Sequence, residues 1–356
     1  MKYVERIDNR SYFVYNKTEI SCWRVIQMYL KRKVDAFLEE WKADKNRKPL
    51  IVKGSRQIGK TESILHFAAD HYENVIEINF VRDEKYKGII TDGYEAADII
   101  KNISLIDPTK KFVPEKTLIF FDEITEFPEI ATSLKFFCID GRFDVICSGS
   151  MLGVNYKKIE SNSVGYKKDY EMFSMDFEEF LWAKGYGDDT VENLLSHMKE
   201  FNPFSELEMN VFHSLFLDYN ILGGMPAVVA EYIERNTFEG SLDTQKQLIA
   251  DYKEDIRKYA TGIDQTRIIN VFNRIAPQPA RENKKSRSLR WHPAQDSGII
   301  EDARSGFRMR VWSTSVTAWS FRNCHWEVIT SPTHSSCILR IRVFWYPCWM
   351  MNRRRS

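Results

Sequence analysis

Apolar positions follow two rhythms along the chain, and the change from one to the other divides the sequence. Four short runs are solidly apolar: LIVKG (50–54), VIEINF (75–80), TLIFFDEI (117–124) and FDVICSGS (143–150). A strand that reads this way is covered on both faces, as in a parallel sheet flanked by helices. KTESILHFAADHY (60–72), YEAADIIKNI (94–103) and ATSLKFFCID (131–140) separate the runs and carry apolar residues three and four apart. That spacing predicts helices with one buried face. IQMYLKRKVDAFLEEWK (26–42) predicts a further helix ahead of the first strand. Strands alternating with helices predict an α/β fold with right-handed crossovers.

After about residue 170 the strand rhythm stops. DFEEFLWAKG, DTVENLLSHMKEF, ELEMNVFHSLFLDYNIL, AVVAEYIER, LDTQKQLIADYKEDIRKYA and QTRIINVFNRIA all read as helices. The expectation is an α-helical subdomain behind a nucleotide-type sheet.

Charge adds little. The formal net charge is +1 over 356 residues, so no global field argues for nucleic acid or an anionic membrane surface. No run of 18 apolar residues predicts a membrane span, and MKYVERIDNRSYFVYN lacks a signal-peptide core. The expected location is the cytoplasm. Cys22, Cys138, Cys147, Cys324, Cys337 and Cys348 show no metal-site spacing.

The chemistry concentrates at GSRQIGKT, Gly54 to Thr61, which satisfies G-x-x-x-x-G-K-[ST] between a strand and a helix. The glycines let successive backbone N–H groups face phosphate oxygens, and the helix N-terminus adds partial positive charge. The expected nucleotide-contacting run is Gly54, Ser55, Arg56, Gln57, Ile58, Gly59, Lys60, Thr61 and Glu62. In it Lys60 would reach the β- and γ-phosphates and the Thr61 hydroxyl would ligate Mg2+.

Asp122 and Glu123 close the third apolar run, at the strand end where open α/β sheets bind ligands. Asp122 suits an Mg2+ shell of oxygens, and Glu123 suits the base that activates an attacking water. That acid pair favours hydrolysis over transfer to a hydroxyl. CSGS ends the fourth run, and Ser148 rather than Ser150 is the candidate for sensing the terminal phosphate. Arg56 and Arg142 are candidates for contacting transferred charge, but nothing in the spacing fixes either, and a surface arginine is the stronger reading of both.

PLIVKGSRQIGKT, LIFFDEI, DVICSGSMLG, MDFEEFLWAKG and LGGMPAVVAEYIE occur in this order. The series resembles prokaryotic AAA-type predicted ATPases whose C-terminal half is a domain of unknown function, over roughly residues 28–285. The resemblance implies an ASCE-type P-loop domain, a helical segment, a winged helix and a restriction-endonuclease-like fold. It places the phosphate loop on Gly54, Gly59, Lys60 and Thr61, the acidic pair on Asp122 and Glu123, and the sensor on Ser148. It also implies that GGMP (Gly223–Pro226) opens a helix; from spacing alone it is only a turn. Relatives begin near MYLKRKVDAFLEEWK, so residues 1–27 read as an N-terminal extension. ATP and Mg2+ are the implied ligands, with an unidentified protein or nucleic-acid partner and a possible homo-oligomer.

The resemblance stops after IINVFNRIAPQPARENKK. From Pro277 onward there are 12 Arg against 2 Lys, and six of the nine Trp. HSSCILRIRVFWYPCWMMN, written in permissible codons and read from the third base, becomes FKLYFADTGLLVSMLDDE. The same treatment of MRVWSTSVTAWSFRNCHW can yield AGMVNVCYCMELPELPL. Both products look family-like, which predicts a one-base frameshift near Lys285 or Ser286. The expected organisation is therefore an ATPase domain over 28–170, a helical subdomain over 171–262, the start of a truncated winged helix over 263–285, and an out-of-frame tail over 286–356. The tail is expected to be disordered or non-native, because a shifted reading loses its parent's hydrophobic period.

Three function classes emerge: a P-loop ATPase driving a conformational switch, a nucleotide-gated interaction module with negligible turnover, and a small-molecule kinase. The acid pair, and the absence of an Arg-rich lid segment, count against the third.

Overall fold

The computed structural model describes residues 2–8, 11–16, 29–150, 163–200, 202–259, 269–270, 272–273, 324–330 and 337–343. The chain divides into two units, Met1–Met172 and Phe173–Ser356.

In the first unit, β1 (Lys2–Asp8) and β2 (Ser11–Asn16) pair antiparallel. The main sheet contains β3 (Leu50–Gly54), β4 (Asn74–Asn79), β5 (Thr117–Asp122), β6 (Asp144–Ser150) and β7 (Lys168–Glu171). Its order is β4-β5-β6-β3-β7, and every neighbouring pair is parallel. The four apolar runs of the sequence are four of these strands, with ends shifted by no more than two residues. The fifth, KDYE, is a half-exposed edge strand with no apolar run to announce it. Helices α1 (Lys33–Ala43), α2 (Lys60–His71), α3 (Ala96–Ile106) and α4 (Leu134–Asp140) belong to the same unit.

One core layer gathers Ile76, Ile78, Phe80, Phe121, Phe137 and Val145 with α3 residues Ile99 and Ile103. These side chains are the reason the strands read as unbroken apolar runs. At the N-terminal end of β6, Asp144 accepts hydrogen bonds from Lys42 Nζ (2.8 Å), Arg47 Nε (2.6 Å) and Tyr72 Oη (2.7 Å). Burial alone would raise this carboxyl, but the three donors outweigh it and hold it below the usual aspartate range.

The first predicted helix starts later than its periodicity suggests. Residues 26–28 lie outside the described residues, and Arg32 is extended (φ −127°, ψ 154°). The Arg32 N–H donates to Asp35 Oδ2 at 2.8 Å, so the helix begins at Lys33. The capping interaction overrides the apolar spacing of the preceding residues.

The second unit carries α5 (Phe177–Ala183), α6 (Asp188–Glu200), α7 (Glu206–Leu222), α8 (Pro226–Arg235) and α9 (Ser241–Tyr259). Asp176 with Glu179 and Ser205 with Glu208 form capping boxes that start α5 and α7. GGMP has a distinct task for each of its ends. Gly223 closes α7 at φ 71°, and Pro226 is the first residue of α8. Gly224 accepts from Met175 N–H at 2.7 Å, and a Cβ there would lie 2.0 Å from the Met175 carbonyl oxygen.

Within 286–356, β8 (Cys324–Thr330) and β9 (Cys337–Val343) pair antiparallel. The rest of that expected tail, and most of the expected winged-helix start, lie outside the described residues. No helix among the described residues is long and apolar enough to cross a membrane.

Candidate nucleotide site

Gly54 ends β3 against the neighbouring chain: a Cβ there would stand 2.3 Å from the Met172 carbonyl oxygen and 2.6 Å from Ile58 Cδ1. Only glycine lets the loop leave the strand along this path. Ser55, Arg56, Gln57 and Ile58 follow, with Gln57 at φ 61° and Ile58 fully buried. Gly59 sits at φ 91° in the left-handed region as the N-cap of α2, and no side chain caps that helix end. The opening N–H groups of α2 therefore have no intrahelical acceptor and no side-chain cap, the situation that favours an anion. Lys60, Thr61 and Glu62 form the first turn of the helix.

Lys60 is 6% exposed, and its Nζ donates to the carbonyls of Ser55 (2.6 Å) and Gly54 (3.2 Å). Burial lowers the lysine pKa, and Glu123 and Asp122 partly oppose that shift. Thr61 and Asp122, 61 positions apart in sequence, meet because β3 and β5 lie in one parallel sheet with only β6 between them. Thr61 Oγ1 lies 3.2 and 3.3 Å from the two Asp122 carboxylate oxygens. Ser148, fully buried on β6, donates a short hydrogen bond to Asp122 Oδ1.

Glu123 leaves the strand in the left-handed region at φ 55°, which is costly for a residue with a side chain and persists only when its surroundings enforce it. Burial pushes its carboxyl above the usual glutamate range, against the pull of Lys60 and Arg56. Its Oε2 has no hydrogen-bond partner among the described residues. A buried carboxylate oxygen without a donor is a strong acceptor held ready for a ligand or water.

Arg142 does not join this group. It precedes β6, at the end opposite Ser148, and its guanidinium is bound to Asp140 at 2.7 and 2.8 Å. The local Asp140–Arg142 pair satisfies it on the exposed edge. Arg56 lies in the loop itself, where its charge acts on both Glu123 and Lys60.

The sequence reading missed Asn79. Its Nδ2 donates to Asp122 Oδ2 at 2.8 Å, while its Oδ1 accepts the N–H groups of Val81 and Arg82, both at 3.0 Å. Two backbone donors fix which end of the amide faces the carboxylate. The only available signal was a polar residue closing the run VIEIN, and its partner is visible only once β4 pairs with β5.

Among the described residues, no three His, Cys, Asp or Glu side chains converge as a metal cage. Thr61, Asp122 and Ser148 nonetheless bring hard oxygens together at the loop. That donor set fits Mg2+, which takes one or two protein oxygens and completes its shell with water and phosphate.

A buried lysine on a phosphate loop, beside an acidic strand end in a parallel sheet, defines a P-loop nucleotide-binding domain. Residues 46–181 match the family described as an AAA domain, and residues 213–290 match a domain of unknown function (DUF8612). An AAA domain implies ATP binding and hydrolysis. No curated protein matches the chain. Similar solved structures include closed-state Hsp104 with ATPγS and FITC-casein, at 15% identity and a TM-score of 0.30, covering 42% of this chain and 28% of that one. C. elegans PCH-2 aligns at 11% identity and a TM-score of 0.26, covering 49% of this chain and 48% of its own. Drosophila ORC bound to AT-rich DNA and Cdc6 aligns at 10% identity and a TM-score of 0.26, covering 57% of this chain and 91% of that one. The chain thus spans about half or less of the first two relatives.

Proposed function

We propose that the chain binds ATP with Mg2+ at Gly54–Thr61 and hydrolyses it to drive a conformational switch. The observation that carries this reading is the meeting of Thr61, Asp122 and Ser148 beside buried Lys60, with the unpartnered Glu123 oxygen next to them. Lys60 holds the phosphate chain, while the loop N–H groups from Gly54 to Glu62 and the first turn of α2 cradle it. Thr61 and Asp122 hold Mg2+, which when bound neutralises phosphate charge. Glu123 accepts the proton of the attacking water, and Ser148 senses the terminal phosphate.

The organisation proposed for the chain is an ATPase domain over 28–170, a helical subdomain over 171–262 and a winged-helix start ending near 285, followed by a frameshifted tail. The second family match, which reaches only residue 290, supports that boundary. The partner of the switch is a protein or a nucleic acid, and the protein acts in the cytoplasm.

The test is phosphate release with no added acceptor, for the full chain beside Glu123→Gln. Loss of a positioned base should lower the rate by about 100-fold or more. Equal rates would contradict the assignment and favour a nucleotide-gated module, and release that requires an acceptor would indicate a kinase.

A further inference from the structure

Residues 29–35, just ahead of the AAA match, form a buried strap onto the phosphate loop. Arg32 is 4% exposed, and its guanidinium donates through one terminal nitrogen to the Ile58 carbonyl at 2.6 Å. Its backbone N–H donates to Asp35 at 2.8 Å. The Tyr29 hydroxyl makes a short hydrogen bond to the same Asp35 and a second one to Ser63 Oγ at 3.2 Å. The Tyr29 ring stacks on His66 at 3.7 Å between centroids and 9° between planes. Tyr29 and Arg32 thus grip the first two turns of α2 and the loop that precedes it.

A phosphate loop turns its N–H groups toward the anion, so its carbonyls turn outward into protein and each needs a donor. For Ile58, which is fully buried, Arg32 is that donor. The peptide between Ile58 and Gly59 is planar and trans, so its C=O and N–H point in opposite directions. Holding the carbonyl toward Arg32 therefore holds the Gly59 N–H on the opposite side, toward the loop interior. Gly59 at φ 91° permits more than one orientation of this peptide. Something outside the loop must select one.

We infer that Arg32 is a positioning residue for nucleotide binding: its guanidinium keeps the Ile58–Gly59 peptide in the orientation that presents the Gly59 N–H to phosphate. The inference rests on the ATP reading above. Arg32 touches no reacting atom; it acts through the backbone of the loop. The loop is then completed by a strap outside the GxxxxGK[ST] signature, and pre-ordering of the loop is set by the segment that enters α1.

The experiment measures ATP and ADP affinity by calorimetry, with Mg2+, for wild type, Arg32→Met and Arg32→Lys, alongside each protein's urea midpoint. Arg32→Met keeps the side-chain length and removes the donors. Leaving a buried carbonyl unsatisfied in the bound orientation should weaken both nucleotides by about tenfold or more, equivalent to about 1.4 kcal/mol. Added guanidinium ion, against matched sodium chloride, should recover part of that loss. A purely structural role moves the urea midpoint alone, so a folded Arg32→Met protein with wild-type affinity overturns the inference. Should Arg32→Met fail to fold, Arg32→Lys decides: its single shorter donor should weaken ATP by about threefold, and wild-type affinity overturns the inference. A wild-type protein that binds no nucleotide removes the ATP reading itself, and the inference falls with it.

Discussion

Asn79→Ala tests how the acidic strand end is held. The Nδ2 bond to Asp122 Oδ2, at 2.8 Å and half-buried, is a hydrogen bond to a charged group; such bonds contribute about 1.5–3 kcal/mol. The two bonds that Asn79 Oδ1 accepts, from Val81 and Arg82, face solvent. Water replaces them at small cost, a few tenths of a kcal/mol each. The expected loss is therefore about 2 kcal/mol for the Met1–Met172 unit. With a urea slope of about 2 kcal/mol/M for a domain this size, the midpoint should fall by about 1 M. Asp122 Oδ2 would keep only the longer 3.3 Å contact to Thr61, while Ser148 still holds Oδ1. The carboxylate gains rotational freedom, so the Mg2+ dependence of nucleotide binding should shift to higher metal concentration. Urea unfolding followed by circular dichroism, with metal titrations on the folded protein, reads both effects. An unchanged midpoint together with unchanged metal dependence would refute the argument that Asn79 fixes this carboxylate.

Three further outcomes follow from the same structure. Asp144→Asn should cost about 2–3 kcal/mol, because Lys42, Arg47 and Tyr72 lose a charged acceptor. Since the Asp144 carboxyl is held below its ordinary 3.8, its contribution is present above that pH and lost as pH falls through the lower folded value; urea midpoints of the two proteins should converge in strong acid. Glu123 must be ionised to act as a base, and burial raises its carboxyl, so the acid limb of the hydrolysis rate should lie above the ordinary 4.5. Arg56 lowers that carboxyl, so Arg56→Met should move the limb to still higher pH in a rate–pH profile. Gly54→Ala should reduce both folding yield and nucleotide affinity, because a Cβ 2.3 Å from the Met172 carbonyl cannot be accommodated without moving the edge strand; equal behaviour of the two proteins in a calorimetric titration would contradict that.

The phosphate loop was legible in the sequence because its chemistry is local: two glycines, a lysine and a threonine within eight residues, set between a strand and a helix. The apolar runs were equally legible, since burial on both faces of a parallel sheet leaves an unbroken signature. Strand order was not. That β6 lies between β3 and β5 decides that Ser148 and Asp122 touch, and no periodicity encodes it. Asn79 was missed for the same reason, because its role depends on pairing across 43 residues. The edge strand KDYE is charged and half exposed, so it carries no apolar run. Arg32 sits inside an apparently helical stretch, and only the Asp35 cap shows that it is extended and turned toward the loop. Arg142 shows the converse error: an arginine near a motif in sequence can be satisfied by a neighbour two residues away.

The central claim is that Gly54–Thr61 is an ATP site whose phosphate charge is met by Lys60. Titrating ATP with Mg2+ into the full chain and into Lys60→Ala tests it directly. The account predicts saturable binding by the wild type and affinity weakened by about 100-fold or more in the variant, as expected for removing a buried charged partner of phosphate. Absence of binding by the wild type, or equal affinity in the two proteins, would contradict it.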